Sequence, residues 1–141
     1  MNIYIDADGC PVIKITEQIA KSHNIPCFIV CDLAHIYNSQ YCRIIKVDIA
    51  SDSADLILAG RIKSNDIVIT QDYGLAAICI AKGARAVNQN GLIFSDSNID
   101  SLLMLRHDGA KARRAGLKTK GPKKRTKTQD EDFIQALLSL L

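Results

Sequence analysis

The stretch Ile3-Tyr4-Ile5-Asp6-Ala7-Asp8-Gly9-Cys10-Pro11-Val12 decides the fold. Its β-branched and aromatic opening reads as a short strand, Ile3 to Asp6, that ends on an acid. Pro11 suits a first helical turn, and Val12, Ile15, Ile19 and Ala20 then share one face, so Pro11 to Ser22 reads as a helix ended by Asn24-Ile25-Pro26. The same alternation continues along the chain. Further strands are expected at Cys27 to Cys31, Arg43 to Val47, Ile67 to Thr70 and Arg85 to Asn88. Ala54 to Ile62 and Tyr73 to Lys82 read as helices, the second stopped by Gly83 where a left-handed cap is wanted. Short β-branched runs alternating with helical segments predict an α/β domain with a mainly parallel sheet of about five strands.

Asn90-Gly91 is a two-residue turn signal, which predicts that Leu92 to Phe94 folds back as a hairpin arm. A helix from about Ser97 into the Arg113 region carries Ile99, Leu102, Leu103 and Leu105. A final helix, Asp130 to Leu141, presents Phe133, Ile134, Leu137, Leu138 and Leu141 at helical spacing and should dock on the body. Residues 1–141 are therefore read as a single domain with a basic loop at 111–127 and a docking helix at its carboxyl end.

The chain has 141 residues, 48% hydrophobic, 23% charged and 5% aromatic, which fits a globular domain and excludes disorder or a fibre. No apolar run approaches the roughly 20 residues that cross a bilayer, and Met1 leads straight into the first strand without a signal pattern. The expectation is a cytoplasmic protein with no membrane partner. Five cysteines without CxxC or zinc-type spacing support neither a disulfide framework nor a structural zinc. Cys27 and Cys31 lie roughly 13 Å apart along a strand, beyond the roughly 7 Å that a disulfide tolerates, and read as core residues.

The net charge is +3, distributed unevenly. Residues 1–110 carry 9 basic and 12 acidic side chains. Residues 111–127 hold Lys111, Arg113, Arg114, Lys118, Lys120, Lys123, Lys124, Arg125 and Lys127 with no acid among them. Such a block is either a solvated stretch or an arm that binds a polyanion such as RNA.

Three strands run into acidic or amide residues: Ile5-Asp6-Ala7-Asp8, Ile69-Thr70-Gln71-Asp72 and Val87-Asn88. In an open parallel sheet those ends line one crevice. Asp52 and Asp55, three apart at the start of a helix, share a face and offer further carboxylates. Two carboxylates about 4 Å apart repel by roughly 4 kcal/mol at an effective dielectric near 20. A convergent cluster therefore calls for cations, and oxygen-only ligands suit Mg2+ or Mn2+, which would activate a water and stabilise charge on a phosphodiester. Each acid also has a plainer role. Asp8, Asp52 and Asp72 each precede a predicted helix and fit as caps, and Thr70 and Asn88 serve equally as substrate-positioning groups or in strand-end hydrogen bonding.

Cys10 precedes a helix whose amino terminus would lower its pKa, offering a nucleophile, but no histidine lies nearby in sequence. His23, His35 and His107 read as surface residues rather than ligands.

The run Asp6-Ala7-Asp8-Gly9-Cys10-Pro11, with Ser51-Asp52-Ser53-Ala54-Asp55, Val68-Ile69-Thr70-Gln71-Asp72 followed by Leu75-Ala76, and Gly83-Ala84-Arg85-Ala86-Val87-Asn88 followed by Gly91, resembles the YaiI/YqxD family of bacterial proteins. The resemblance extends through Gly116, Gly121-Pro122 and the closing helix. That family is itself similar to PIN-like and NYN-like metal-dependent ribonuclease domains. The resemblance implies a three-layer PIN-like domain with strand order 3-2-1-4-5 and an acidic site at the ends of strands one and four. On that likeness Asp6 and Asp72 are metal ligands, with Asp8 and Asp55 assisting. The chain departs from the family pattern at Gln89-Asn90, where Pro-Arg is frequent, and at Lys120, where glycine is frequent.

The leading expectation is a ribonuclease that depends on a divalent metal, with 111–127 gripping the RNA backbone. A second is an aspartyl-phosphate phosphatase of haloacid-dehalogenase type, with Asp6 as nucleophile, Asp8 as general acid and Thr70 as phosphate donor. A third is a non-catalytic RNA-binding module in which the acids merely cap helices.

Overall fold

A computed structural model describes residues 1–48, 54–116 and 124–141, with backbone only at 54 and 106–113. Five strands, β1 (Ile3–Asp6), β2 (Cys27–Asp32), β3 (Arg43–Val47), β4 (Ile67–Ile69) and β5 (Arg85–Val87), form one sheet of order β3-β2-β1-β4-β5. Every pairing in it is parallel. The helices are α1 (Ile13–Ser22), α2 (Ala54–Arg61), α3 (Tyr73–Ala81), α4 (Ile99–Arg114) and α5 (Lys127–Leu140).

Side-chain alternation along the strands produces three layers. From β1, Ile3 and Ile5 enter one core with Val12 and Ala20 at α1 and Phe133 and Leu137 of α5. Tyr4, pointing the other way, enters a second core with Leu58 of α2, Leu75 and Cys79 of α3 and Ile99 of α4. The central strands are therefore covered on both faces, and β4 is buried at all three of its residues. Burying an aliphatic side chain contributes roughly 1.5–3 kcal/mol, which outweighs the weak intrinsic preferences of such short strands. Among the described residues no helix is long and apolar enough to cross a membrane.

Several boundaries differ from the sequence reading. α1 begins at Ile13, because residues 11 and 12 form a turn and the Val12 carbonyl accepts the Thr16 amide at 2.9 Å and the Thr16 hydroxyl at 2.8 Å. Asp8 accordingly does not cap this helix, whose N-cap position is held by Val12 without a side-chain hydrogen bond. β2 runs one residue further, to Asp32. β5 stops at Val87, since Asn88 Oδ1 accepts the amides of Asn90 and Leu92 at 2.9 Å each and closes a loop. The expected hairpin arm reduces to an isolated bridge between Val87 and Ile93. Gly91 in this loop has φ +88°, and a Cβ there would lie 2.6 Å from the carbonyl oxygen of Asp132 in α5. Glycine is what lets α5 approach so closely.

α5 starts three residues before the expected Asp130. Thr126 caps it by accepting the Gln129 amide at 3.3 Å while the Gln129 side chain accepts the Thr126 amide at 2.9 Å, a reciprocal capping box. The basic 111–127 segment is not all loop: Lys111, Arg113 and Arg114 belong to the last turn of α4, and Lys127 opens α5.

Candidate metal centre

Strand register builds the site. Asp6 pairs with Val30, Ile5 with Ile69 and Ile69 with Val87, so the residues that follow these strands emerge together at one sheet edge. The Thr70 hydroxyl donates to Asp6 Oδ2 at 2.8 Å and accepts the Asp72 amide at 3.0 Å. Thr70 is only 2% exposed, so its hydroxyl is committed to wiring the two acidic segments together. A phosphatase role, in which the Thr70 hydroxyl donates to the substrate phosphate, would compete with that bond.

Burial holds the Asp6 carboxyl above its usual value. The Thr70 hydrogen bond opposes the shift, and the neighbouring charges of Asp72 and Asp8 add to it. A cavity of about 30 Å³ opens beside it, lined by Asp6, Asp8, Cys10, Ile69, Thr70, Gln71 and Gln89. That volume admits an ion or a water, not a nucleotide.

Asp72 also fills the capping role anticipated for it, its Oδ1 accepting the amides of Gly74 at 2.8 Å and Leu75 at 3.3 Å at the start of α3. Asp55 lies exposed in the first turn of α2, and neither it nor Asp72 is among the residues that line the cavity. Asp52 falls outside the described residues. Asn88 spends its carboxamide oxygen on its own loop, the plainer of the two roles it was offered.

Residues that sequence reasoning passed over also gather here. The Gln71 side chain donates to Gln89 Oε1 across the rim. On the β2 side, His35 Nδ1 lies 2.5 Å from Asp32 Oδ1 and 3.4 Å from Asp8 Oδ1. The hydrogen bond between them raises the His35 pKa and lowers that of Asp32. Among the described residues, Asp8, Asp32 and His35 are the group of three whose ligand atoms all fall within 4.8 Å of one another. Asp6 and Asp72 stand outside that tight group.

The sequence profile of DUF188, described as an uncharacterized BCR of the YaiI/YqxD family, matches residues 4–141. The chain belongs to the YaiI/YqxD family. Similar relatives carry the name UPF0178 protein. The one from Exiguobacterium sibiricum is 45% identical over 141 residues, covering 100% of this chain and 96% of its own. The one from Ruminiclostridium cellulolyticum is 50% identical over 138 residues, covering 98% and 90%. The one from Clostridium acetobutylicum is 45% identical over 143 residues, covering 100% and 97%.

Two expectations for this YaiI/YqxD member need correction. Cys10 does not sit at the amino terminus of α1, which begins at Ile13, and burial pushes its thiol pKa up rather than down. Arg125 is not free to grip a polyanion. Its Nε pairs with Asp130 at 2.7 Å, and its terminal nitrogens donate to Asn90 Oδ1 at 2.8 Å and the Gln89 carbonyl at 2.6 Å. It ties α5 to the loop that lines the cavity. Arg114, Lys124 and Lys127 are exposed, whereas Lys118, Lys120 and Lys123 lie outside the described residues. The other cysteines, Cys27, Cys31, Cys42 and Cys79, are buried and unbridged as core positions should be.

Proposed function

We propose that this YaiI/YqxD family member is a divalent-metal-dependent ribonuclease acting at the cavity beside Asp6. The observation that carries the reading is a partly buried carboxylate, Asp6, that lines an ion-sized cavity with Asp8 at the carboxyl edge of a parallel sheet, with the charge of Asp72 close behind it. The donor set fits Mg2+ or Mn2+. All the acids offer hard oxygen ligands, and magnesium characteristically binds through one or two carboxylates while keeping several waters. The 3-2-1-4-5 sheet also agrees with the likeness to PIN-like ribonuclease domains.

Asp6 and Asp72 would hold the ion, with Asp8 at the open side, its side chain 38% exposed. The bound ion supplies stabilisation of negative charge on the phosphodiester and a lowered pKa for an attacking water. Thr70 fixes the rotamer of Asp6, and Gln71 and Gln89 present amide groups at the rim to the substrate. Lys124, Lys127 and Arg114 add sequence-independent attraction for the RNA backbone.

The test is cleavage of single-stranded and structured RNA with magnesium or manganese. Asp6→Asn and Asp72→Asn should abolish cleavage while salt-dependent RNA binding persists, and Asn at 72 still caps α3. Cleavage unchanged in both variants would reject this site. Steeply salt-dependent binding without any turnover in the wild type would point to the binding-module reading instead.

A further inference from the structure

We infer that Asp8, Asp32 and His35 form a second metal site, of mixed oxygen and nitrogen ligands, that takes transition ions of the manganese, cobalt and zinc class in preference to magnesium. The placement follows from the sheet. With Asp6 paired to Val30, the two carboxylates each lie two residues further along neighbouring strands, Asp8 past β1 and Asp32 at the end of β2. His35 comes from the loop after β2 and returns over that edge. Tyr37 secures the return by donating its hydroxyl to the Ala7 carbonyl at 3.1 Å, and its ring stacks with the His35 ring at 6.2 Å. On the other side Asp32 Oδ1 accepts the amides of Ala34 at 3.0 Å and His35 at 2.9 Å, so the loop is held both before and after the imidazole.

The distances suit ligation. Donors on one ion bound at roughly 2.0–2.2 Å stand about 3 Å apart when adjacent. His35 Nδ1 is hydrogen-bonded to Asp32 Oδ1 at 2.5 Å through a proton that an ion would replace with a slight widening, and it lies 3.4 Å from Asp8 Oδ1. All three ligand atoms fall within 4.8 Å of one another, a span that small side-chain rotations close. The His35 and Asp8 side chains are 52% and 38% exposed, so an ion has direct access from solvent. Selectivity comes from the nitrogen. Imidazole suits zinc and its transition-metal neighbours, and manganese, though it favours oxygen donors, loses water more readily than magnesium and accepts a nitrogen beside them. The site does not depend on ribonuclease activity; it shares Asp8 with the rim of the Asp6 centre and differs from that centre in its nitrogen donor.

Pulsed electron paramagnetic resonance of the full-length chain loaded with one equivalent of manganese reads the inference directly. A directly bound imidazole couples the electron spin to ¹⁴N. That coupling should be present in the wild type and in Asp72→Asn, and absent in His35→Gln, an exposed position whose folding is checked by circular dichroism. Calorimetric titration with zinc should show affinity weakened at least tenfold in His35→Gln and Asp32→Asn, with magnesium binding unchanged in both. Manganese bound to Asp6→Asn, in which the oxygen-only centre is disabled, without nitrogen coupling, or zinc affinity equal in wild type and His35→Gln, overturns the site. Loss of RNA cleavage with the coupling intact would reject only the ribonuclease proposal, and cleavage without the coupling would reject only this one.

Discussion

Thr70 Oγ1 sits between two acidic segments, donating to Asp6 Oδ2 at 2.8 Å and accepting the backbone amide of Asp72 at 3.0 Å. Replacing it by valine keeps the shape and removes both bonds, leaving a partly buried carboxylate and an amide without their partner. Thr70→Val is expected to cost about 2 kcal/mol in urea denaturation and to depress RNA cleavage, whereas Thr70→Ser retains both properties. Equal stability of the valine variant would show that the hydroxyl contributes nothing to the arrangement.

Asp6 makes folding stability fall as pH rises. The folded chain holds its proton to higher pH than the unfolded chain does, mainly because the carboxylate is buried. This group therefore carries no penalty below its ordinary value of 3.8 and the full penalty above its raised folded value. In chelator-treated protein, Asp6→Asn should melt at a higher temperature than wild type at pH 7, and the gap should close near pH 3 as both forms become neutral. A variant less stable than wild type at pH 7 would contradict the assignment of burial as the main cause.

Arg125 and Lys124 are adjacent in a basic run but have different tasks. Arg125→Ala removes the bonds to Asp130, Asn90 and Gln89 and should lower stability by about 1–2 kcal/mol. Arg125→Lys should not restore it, because an ammonium cannot reproduce the three-way fork. Lys124→Ala should leave stability within about 0.5 kcal/mol and instead reduce the salt dependence of RNA affinity. Chemical denaturation and binding at several salt concentrations separate the two.

Gly91→Ala tests the docking of α5. The substitution meets both a left-handed φ of +88° and a backbone carbonyl 2.6 Å from the new Cβ, so a loss of about 1–3 kcal/mol is expected. Gly9→Ala has a similar φ of +71° with nothing within 4 Å, and should cost less. Comparing the two by thermal melting isolates the α5 contact.

Much of this architecture is legible in local sequence. β-Branched residues mark β1 to β4 clearly and β5 only at Val87, and acids or hydroxyls just past Ile5 and Ile69 mark the sheet edge where the cavity lies. Strand order came from family likeness, because order depends on which hydrophobic faces meet, not on any one segment. Asp32 is hidden at the sequence level because the apolar run of β2 stops at Cys31, although register carries the strand to this acid two positions beyond Val30. His35 looked like an ordinary loop residue, since what turns it back is the long-range bond from Tyr37 to Ala7. Gln71 and Gln89 stand at equivalent positions two past β4 and β5, a signal visible once Ile69 and Val87 are paired. Thr126 and Gln129 carry the capping-box spacing openly, but the surrounding lysines drew attention to charge instead. Charge alone could not show that Arg125 would find Asp130 and the Gln89–Asn90 loop, because its partners lie as far as 36 residues away.

The convergence of acids around a cation is tested most directly by diffraction from crystals soaked in manganese, with data collected at the metal's absorption edge. The expected result is an anomalous peak in the cavity against the Asp6 carboxylate that disappears in Asp6→Asn. Saturating manganese with no peak in contact with Asp6 would contradict the proposed centre.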